Sequence, residues 1–419
     1  MLSLSNIKLF SLCAIVITIV LSRLNLNSNF LVLLAFAWLL EGRFKKKMAL
    51  LKKDKLFLAY LLYFIIQIAG VTMSDNLMVG WKEFESKVGF LVVPLVLCSA
   101  GLPDRYMRKK IMMVFSLAVL VAGLFCIGVS GFNYVKTQDE SIFFYHQLVS
   151  PLDHHAVYFA VFTFICLVFL MTEIKDLRWF KTHRFIYIAW LVFYLVLLFL
   201  LSSKMVLFIT VLFLLYRLIV SARSIRARMW RTSIGGLAML LIVAAIFVTD
   251  NPVKKRFADL KGDIELLSLV KYNDAMYFNG WQFRLLLWRF TFEIIRDKNA
   301  WLTGVGPTND QAALREKYLA MGLYSGLKSR GDQGYLEFNC HNQFLQSTLQ
   351  SGIPGLLIFV AWCVIFVVRV VRKEQEVLSW MCIIILAFFF TESVFERQYG
   401  MILTTLLPLM YLYTKKPRD

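Results

Sequence analysis

The chain has 419 residues, 59% of them hydrophobic and only 17% charged, whereas soluble domains carry about 25% charged residues. That balance excludes a soluble domain as the bulk of the molecule and predicts an all-α polytopic membrane protein. The net charge of +19 is no sign of a nucleic-acid partner, because Lys and Arg cluster in short stretches between apolar runs, as the positive-inside rule requires.

Apolar runs recur at about 8–24, 28–42, 56–73, 87–101, 111–130, 156–172, 185–201, 205–220, 232–249, 352–370, 378–392 and 400–413. Each is of the order needed to cross a hydrocarbon core of about 30 Å as a helix, so about 12 transmembrane helices are predicted. No small-residue cleavage site follows the first run, where Arg23-Leu24-Asn25-Leu26-Asn27 stands, and it reads as a retained helix. With a cytoplasmic N-terminus, the connectors 43–55, 102–110, 173–184, 221–231, 371–377 and 414–419 are cytoplasmic, and all are rich in Lys or Arg. The expected organisation is transmembrane helices 1–9 over residues 1–249, a partly helical periplasmic cap over 250–351, and helices 10–12 with a cytoplasmic tail over 352–419. Within the cap, 281–296 has the apolar and aromatic spacing of an interfacial helix, with Gly304-Val305-Gly306-Pro307 expected to end it.

Cysteines lie in or at the ends of apolar runs, where a thiol acts as a small hydrophobe, except Cys340. A single cysteine in the cap rules out a disulfide within it. Cys340 beside His341 is not expected to form a thiol nucleophile pair, because successive side chains on a helix diverge.

Four elements assigned to the outer side hold the unusual polar residues. The first is Asp153-His154-His155-Ala156-Val157-Tyr158, opening the sixth run, and the second is Ser202-Ser203-Lys204, in the tight turn between the seventh and eighth. Lys204 reads either as a cation that snorkels to lipid headgroups or as a fixed charge for an anionic lipid-linked substrate. The third is Arg284 with Trp288 and Arg289 on the interfacial helix. A guanidinium grips phosphate oxygens in bidentate fashion, although Arg289 also has the spacing of an i,i+4 ion pair with Glu293. The fourth is Asn339-Cys340-His341-Asn342-Gln343-Phe344. His341 is either a general base working near neutral pH, with Asn342 positioning a substrate, or a polar helix cap. Metal-ligand spacings, nucleotide loops and dinucleotide fingerprints do not occur in the sequence, and no metal or cofactor is expected.

Taken in order, these elements resemble the O-antigen ligase and polymerase superfamily of bacterial envelope glycosyltransferases. His155-x-x-Tyr158 is similar to that family's His-Pro-x-Tyr element, and Leu201-Ser202-Ser203-Lys204 to its Ser-Arg turn, with Lys in place of Arg. Arg284 with Trp288 resembles its Arg-x-x-x-Trp helix, followed by Gly304-Val305-Gly306. His341-Asn342-Gln343-Phe344-Leu345 with Gly352 and Gly355 resembles its His-Asn-x-x-Leu element, and Thr391 to Gly400 the Glu-Arg-Gln stretch of ligase-like members.

The resemblance implies transfer of a glycan from undecaprenyl diphosphate to a lipid A core sugar hydroxyl, at the periplasmic face of the bacterial inner membrane. In that reading His341 is the catalytic base. Lys204, Arg284 and Arg289 bind the donor diphosphate, and His155, Tyr158, Asn342 and Arg397 make further substrate contacts. A polysaccharide polymerase and a protein O-glycan transferase share this chemistry. A transporter is the alternative of another class, but it needs ionisable residues near the bilayer midplane, of which the apolar runs are nearly free.

Overall fold

The computed structural model describes residues 3–21, 26–71, 77–102, 104–174, 177–220, 254, 265–273, 276–327 and 334–414. These residues contain no strand, only an isolated bridge between Leu102 and Thr414. The helices are α1 (Leu4–Val20), α2 (Asn27–Leu40), α3 (Phe44–Lys53), α4 (Lys55–Val71), α5 (Leu77–Lys87), α6 (Gly89–Ala100), α7 (Arg105–Thr137), α8 (Tyr145–Val149) and α9 (Ala156–Phe169). They continue with α10 (Arg178–Thr182), α11 (Arg184–Leu201), α12 (Lys204–Val220), α13 (Gly280–Asp297), α14 (Asp310–Ala320), α15 (Gln343–Lys373), α16 (Glu376–Thr391) and α17 (Gln398–Leu412).

Every expected apolar run among the described residues falls on a helix; the run at 232–249 and the basic connector 221–231 lie outside them. Among the described residues, four helical stretches, 105–137, 156–174, 184–201 and 343–373, are long and apolar enough to cross a membrane. A fifth is added if α3 and α4, bent by 89°, count as one span. Several others are shorter: the 14 residues of α2 rise only about 21 Å, so apolar helices and full crossings are not the same count. The chain is nonetheless helical, apolar and multi-pass in character.

Ion pairs gather the basic connectors at one end of the bundle. Lys8 and Lys47 meet Glu41 at 2.6 and 3.0 Å, Arg108 meets Glu173 at 3.0 Å, Arg217 meets Glu376 at 2.9 Å, and Arg369 meets Asp54 at 3.2 Å. A one-turn π-helix, Leu170–Ile174, extends α9 there, and the carbonyls of Met171 and Glu173 accept from Arg217 and Lys109. At the opposite end, His154 Nε2 lies 3.1 Å from the carbonyl of Ile19, and Gln398 donates to Ser28 at 2.9 Å.

That opposite end carries the cap, which has its own apolar core. Phe283, Leu286, Leu287, Phe290 and Ile294 of α13 pack against Leu314 and Tyr318 of α14, with Cys340 and Leu349. As expected, α13 covers 281–296, but the glycines at 304 and 306 do not end it. It stops at Asp297, and Asn299 turns the chain with φ +50°. The glycines serve a different purpose, visible at α15.

Expected to start near Gly352, α15 begins instead at Gln343, because Asn342 accepts hydrogen bonds from the backbone N–H groups of Phe344 and Leu345. Ser351 and Gly352 then break its backbone. The break frees carbonyls, and the cap collects them: Val305 N–H donates to Leu349, Gly306 N–H to Gln350, and Ile353 N–H returns a bond to Trp301. This backbone contact requires glycine, since a Cβ on Gly304 would lie 2.4 Å from Gln350 and one on Gly352 2.6 Å from Trp301 and Leu302. Gly352 also has φ +65° and ψ −163°, a region costing other residues about 1–3 kcal/mol. Gly352→Ala is therefore expected to lower the thermal midpoint of the detergent-solubilised protein by several degrees, and an unchanged midpoint would contradict the contact.

Candidate active site

A capping box fixes the start of α13. Asn279 accepts from the N–H groups of Trp281 and Gln282, and Gln282 accepts from the N–H of Asn279. With its apolar face in the cap core, α13 directs Arg284 toward the end of α16. There Arg284 Nη2 donates to Glu392 Oε1 at 2.9 Å, Nε to the carbonyl of Thr391 at 3.1 Å, and Nη1 to the carbonyl of Gly280 at 2.9 Å.

The other oxygen of Glu392 meets His341. Nδ1 of the imidazole stands 3.0 Å from Glu392 Oε2. His341 has φ +46° and its N–H donates to Asn339 Oδ1 at 3.0 Å, so a left-handed turn just ahead of α15 sets the ring's direction. A carboxylate only accepts, so Nδ1 carries the proton and Nε2 of the neutral ring is left as an acceptor. Burial by itself would raise the Glu392 pKa, but His341 and Arg284 hold this carboxyl well below its usual range. Glu392 is 4% exposed. It is an ionised group taken out of water and held by two partners.

A second cluster stands near it. His155, the residue before α9, has its ring 4.4 Å from that of His146 and 5.5 Å from Tyr158. Burial pushes His155 well below the usual imidazole range, opposed by the charge of Glu392, so its ring is neutral at physiological pH. Its Nδ1 is buried without a hydrogen-bond partner among the described residues. Arg397 donates to Tyr399 at 3.1 Å and lies 6.0 Å from the ring centroids of Tyr158 and Tyr399.

The structure thus joins His341 and Arg284 through the two oxygens of Glu392 and brings His155, Tyr158 and Arg397 to the same end of the bundle. Lys204 opens α12 at that end too, because Tyr187 near the start of α11 bonds the carbonyl of Leu170 at the far end of α9, making α11 antiparallel to α9. Arg289 lies apart, five residues beyond Arg284 and so about 140° round the helix. It pairs with Glu293 at 2.7 Å and donates to the carbonyls of Leu267 and Leu269. These bonds brace the cap and favour the ion-pair reading over a phosphate contact.

Asn342 is buried with its amide committed to capping α15 and to the carbonyl of Phe390; it shapes the turn that carries His341. Tyr158 is 1% exposed and packs on Phe388, which makes it a wall of the cluster.

Glu392 and His146 are the residues that sequence reasoning left out of the site. Glu392 stood in a noticed stretch, ending an apolar run where a charge reads as a boundary; nothing in the sequence around His146 distinguishes it. Of the adjacent pair, His154 points away into the bundle, and burial pushes it down to about 4.

Cys340 is fully buried and accepts from Thr291 at 3.3 Å, and burial pushes its thiol far up. Native protein treated with a maleimide at pH 8 should show no modification at Cys340 on peptide mapping, whereas denatured protein should. Ready labelling of the native state would refute the burial.

Residues 188–360 match the family model described as O-antigen ligase. The matched segment contains Lys204, Arg284 and His341, while His155, Glu392 and Arg397 fall outside it. Comparison with curated proteins gave no match.

Proposed function

We propose that this chain, which carries the O-antigen ligase family domain at residues 188–360, transfers a glycan from undecaprenyl diphosphate to a sugar hydroxyl of the lipid A core. The observation that carries the reading is Glu392, whose two oxygens meet His341 and Arg284. A base and a fixed cation so joined suit a reaction in which a hydroxyl loses a proton while a diphosphate departs.

In this reading the acceptor oxygen attacks the anomeric carbon as the bond from that carbon to the diphosphate oxygen breaks. The diphosphate leaves with the bonding electrons, and the acceptor proton moves to His341 Nε2. Glu392 keeps the proton on Nδ1 and stabilises the imidazolium that forms. Arg284 has five N–H donors, of which three are engaged with Glu392 and the carbonyls of Thr391 and Gly280; the others serve the developing charge on the leaving group. Lys204 adds a second cation at the same end. Arg397 and neutral His155, with its unpartnered Nδ1, are the groups suited to sugar hydroxyls.

Sidedness follows from charge. The ion-paired end gathers the Lys- and Arg-rich connectors, which the positive-inside rule assigns to the cytoplasm. The cap and Glu392 then face the periplasm of the inner membrane, where the lipid-linked donor presents its diphosphate at headgroup level.

The test is a reconstituted assay with an undecaprenyl diphosphate-linked glycan and a lipid A core acceptor, reading glycan attached to the core. His341→Ala should reduce turnover by about 10²–10⁴-fold, and Glu392→Gln by about 10–100-fold through loss of ring orientation. Lys204→Arg should retain more activity than Lys204→Ala. Undiminished transfer by His341→Ala would overturn the assignment of the base, and transfer only to a second lipid-linked glycan would mark a polymerase.

A further inference from the structure

One face of the α15 segment before the break is polar yet buried. Gln343, Gln346, Ser347 and Gln350 are all at most 1% exposed, and polar groups so placed must find partners. The partners of Gln346 are unusual. Its Oε1 accepts from the N–H of Cys340 and from Ser393 Oγ, each at 3.3 Å. Cys340 is the residue before His341, and Ser393 the residue after Glu392. One amide oxygen therefore grips the backbone on the His341 side and the side chain on the Glu392 side of the reacting pair. Ser393 Oγ in turn accepts from the N–H of Asn342 at 3.4 Å, closing a ring of contacts around the pair.

An amide of glutamine can face its surroundings in either sense, and only one sense presents oxygen to Cys340 and Ser393. Asp310, at the start of α14 in the cap, supplies the choice. Its Oδ2 accepts from Gln346 Nε2 at 2.5 Å and from Gln350 Nε2 at 2.6 Å, while Oδ1 accepts from the N–H of Gln311 at 2.8 Å. Burial and the nearby charge of Glu396 push Asp310 up to about 7. In its ionised form the carboxylate accepts and does not donate, so Asp310 then compels the NH₂ of Gln346 toward itself and the oxygen toward Cys340 and Ser393. The same polar chain continues through Gln350 to Glu396 at 3.1 Å, and Glu396 stands 3.6 Å from Lys87.

We propose that Asp310 and Gln346 are positioning residues: the cap carboxylate sets the sense of the Gln346 amide, and the amide oxygen holds His341 and Glu392 in register for proton transfer. This rests on the assignment of His341 as base. It predicts an effect on the chemical step, since neither side chain touches the pair's reacting nitrogen.

The polarity of the node can be exchanged. In Asp310→Asn the amide turns its NH₂ either toward Gln346 and Gln350 or toward the N–H of Gln311, so at least one of these donors loses its acceptor, and in Gln346→Glu two carboxylates face each other. Each single variant is expected to lower kcat by about 10-fold or more with KM changed by less than about 2-fold, the effect of one misdirected buried hydrogen bond on a barrier. The double variant D310N/Q346E restores a donor facing an acceptor between these two positions and keeps an acceptor toward Cys340 and Ser393, while Gln350 Nε2 loses its acceptor at position 310; kcat should exceed that of either single variant by about 3-fold or more. Ser393→Ala removes one donor without placing charge in the interior, and should lower kcat by about 3–10-fold even if a charged single variant fails to fold, as read by a monodisperse elution profile. Parental kcat in Asp310→Asn or Ser393→Ala, a loss confined to KM, or a folded double variant no better than the worse single one would overturn the proposal. His341→Ala in the same assay separates the two claims: if it stays active, the base assignment fails, whereas an inactive His341→Ala beside fully active Ser393→Ala and Asp310→Asn removes only the positioning role.

Discussion

A single buried carboxylate organises the site. An ionised Glu392 at 4% exposure is tolerable in a low-dielectric surrounding only if its charge is matched and its lone pairs are occupied. The matching groups come from segments 51 and 108 residues away in the chain. The end of a bundle helix, the turn leaving the cap and the first turns of the cap helix must therefore all arrive together. Removing the carboxylate would leave Arg284 and His341 each without the group that aims it.

How these segments arrive explains the polar side chains nearby. The interior face of α15 carries amides and hydroxyls because it joins three surfaces: the cap at Asp310, the turns bearing His341 and Glu392 at Cys340 and Ser393, and the bundle at Tyr63, whose hydroxyl lies 2.8 Å from Ser347. An apolar face would pack equally well but would not fix an orientation. Hydrogen bonds with one permitted sense do so, and the polar chain from Asp310 to Lys87 extends that constraint through the interface between cap and bundle.

Much of this was legible in the sequence, for identifiable reasons. Long apolar runs announce helices because the hydrocarbon interior requires them, and most boundaries followed within a few residues, except where polar turns lengthen a helix, as at the start of α15 and at both ends of α7. Arg284 and His341 stood out as polar groups in aromatic surroundings, and Arg289 showed its Glu293 partner through helical spacing. The first turns of α15 were misread as loop because Gln and Ser on a helix ordinarily mean solvent, and their burial depends on a cap folded some 40 residues earlier. Glu392 passed as a helix boundary for the same reason, since no local pattern reveals two partners so distant in the chain. Asn342 was noticed, but its capping role becomes visible only once the helix is known to begin at Gln343.

The break in α15 has a consequence for biogenesis. Carbonyls of Leu349 and Gln350 lose their intrahelical partners at Gly352 and recover them from backbone N–H groups of residues 305 and 306. Unpaired, each would carry a penalty of several kcal/mol in a dry environment. Maturation of this helix and closure of the cap are thus one cooperative event, and α15 to α17 cannot reach their final packing until the polypeptide of the cap that precedes them has folded.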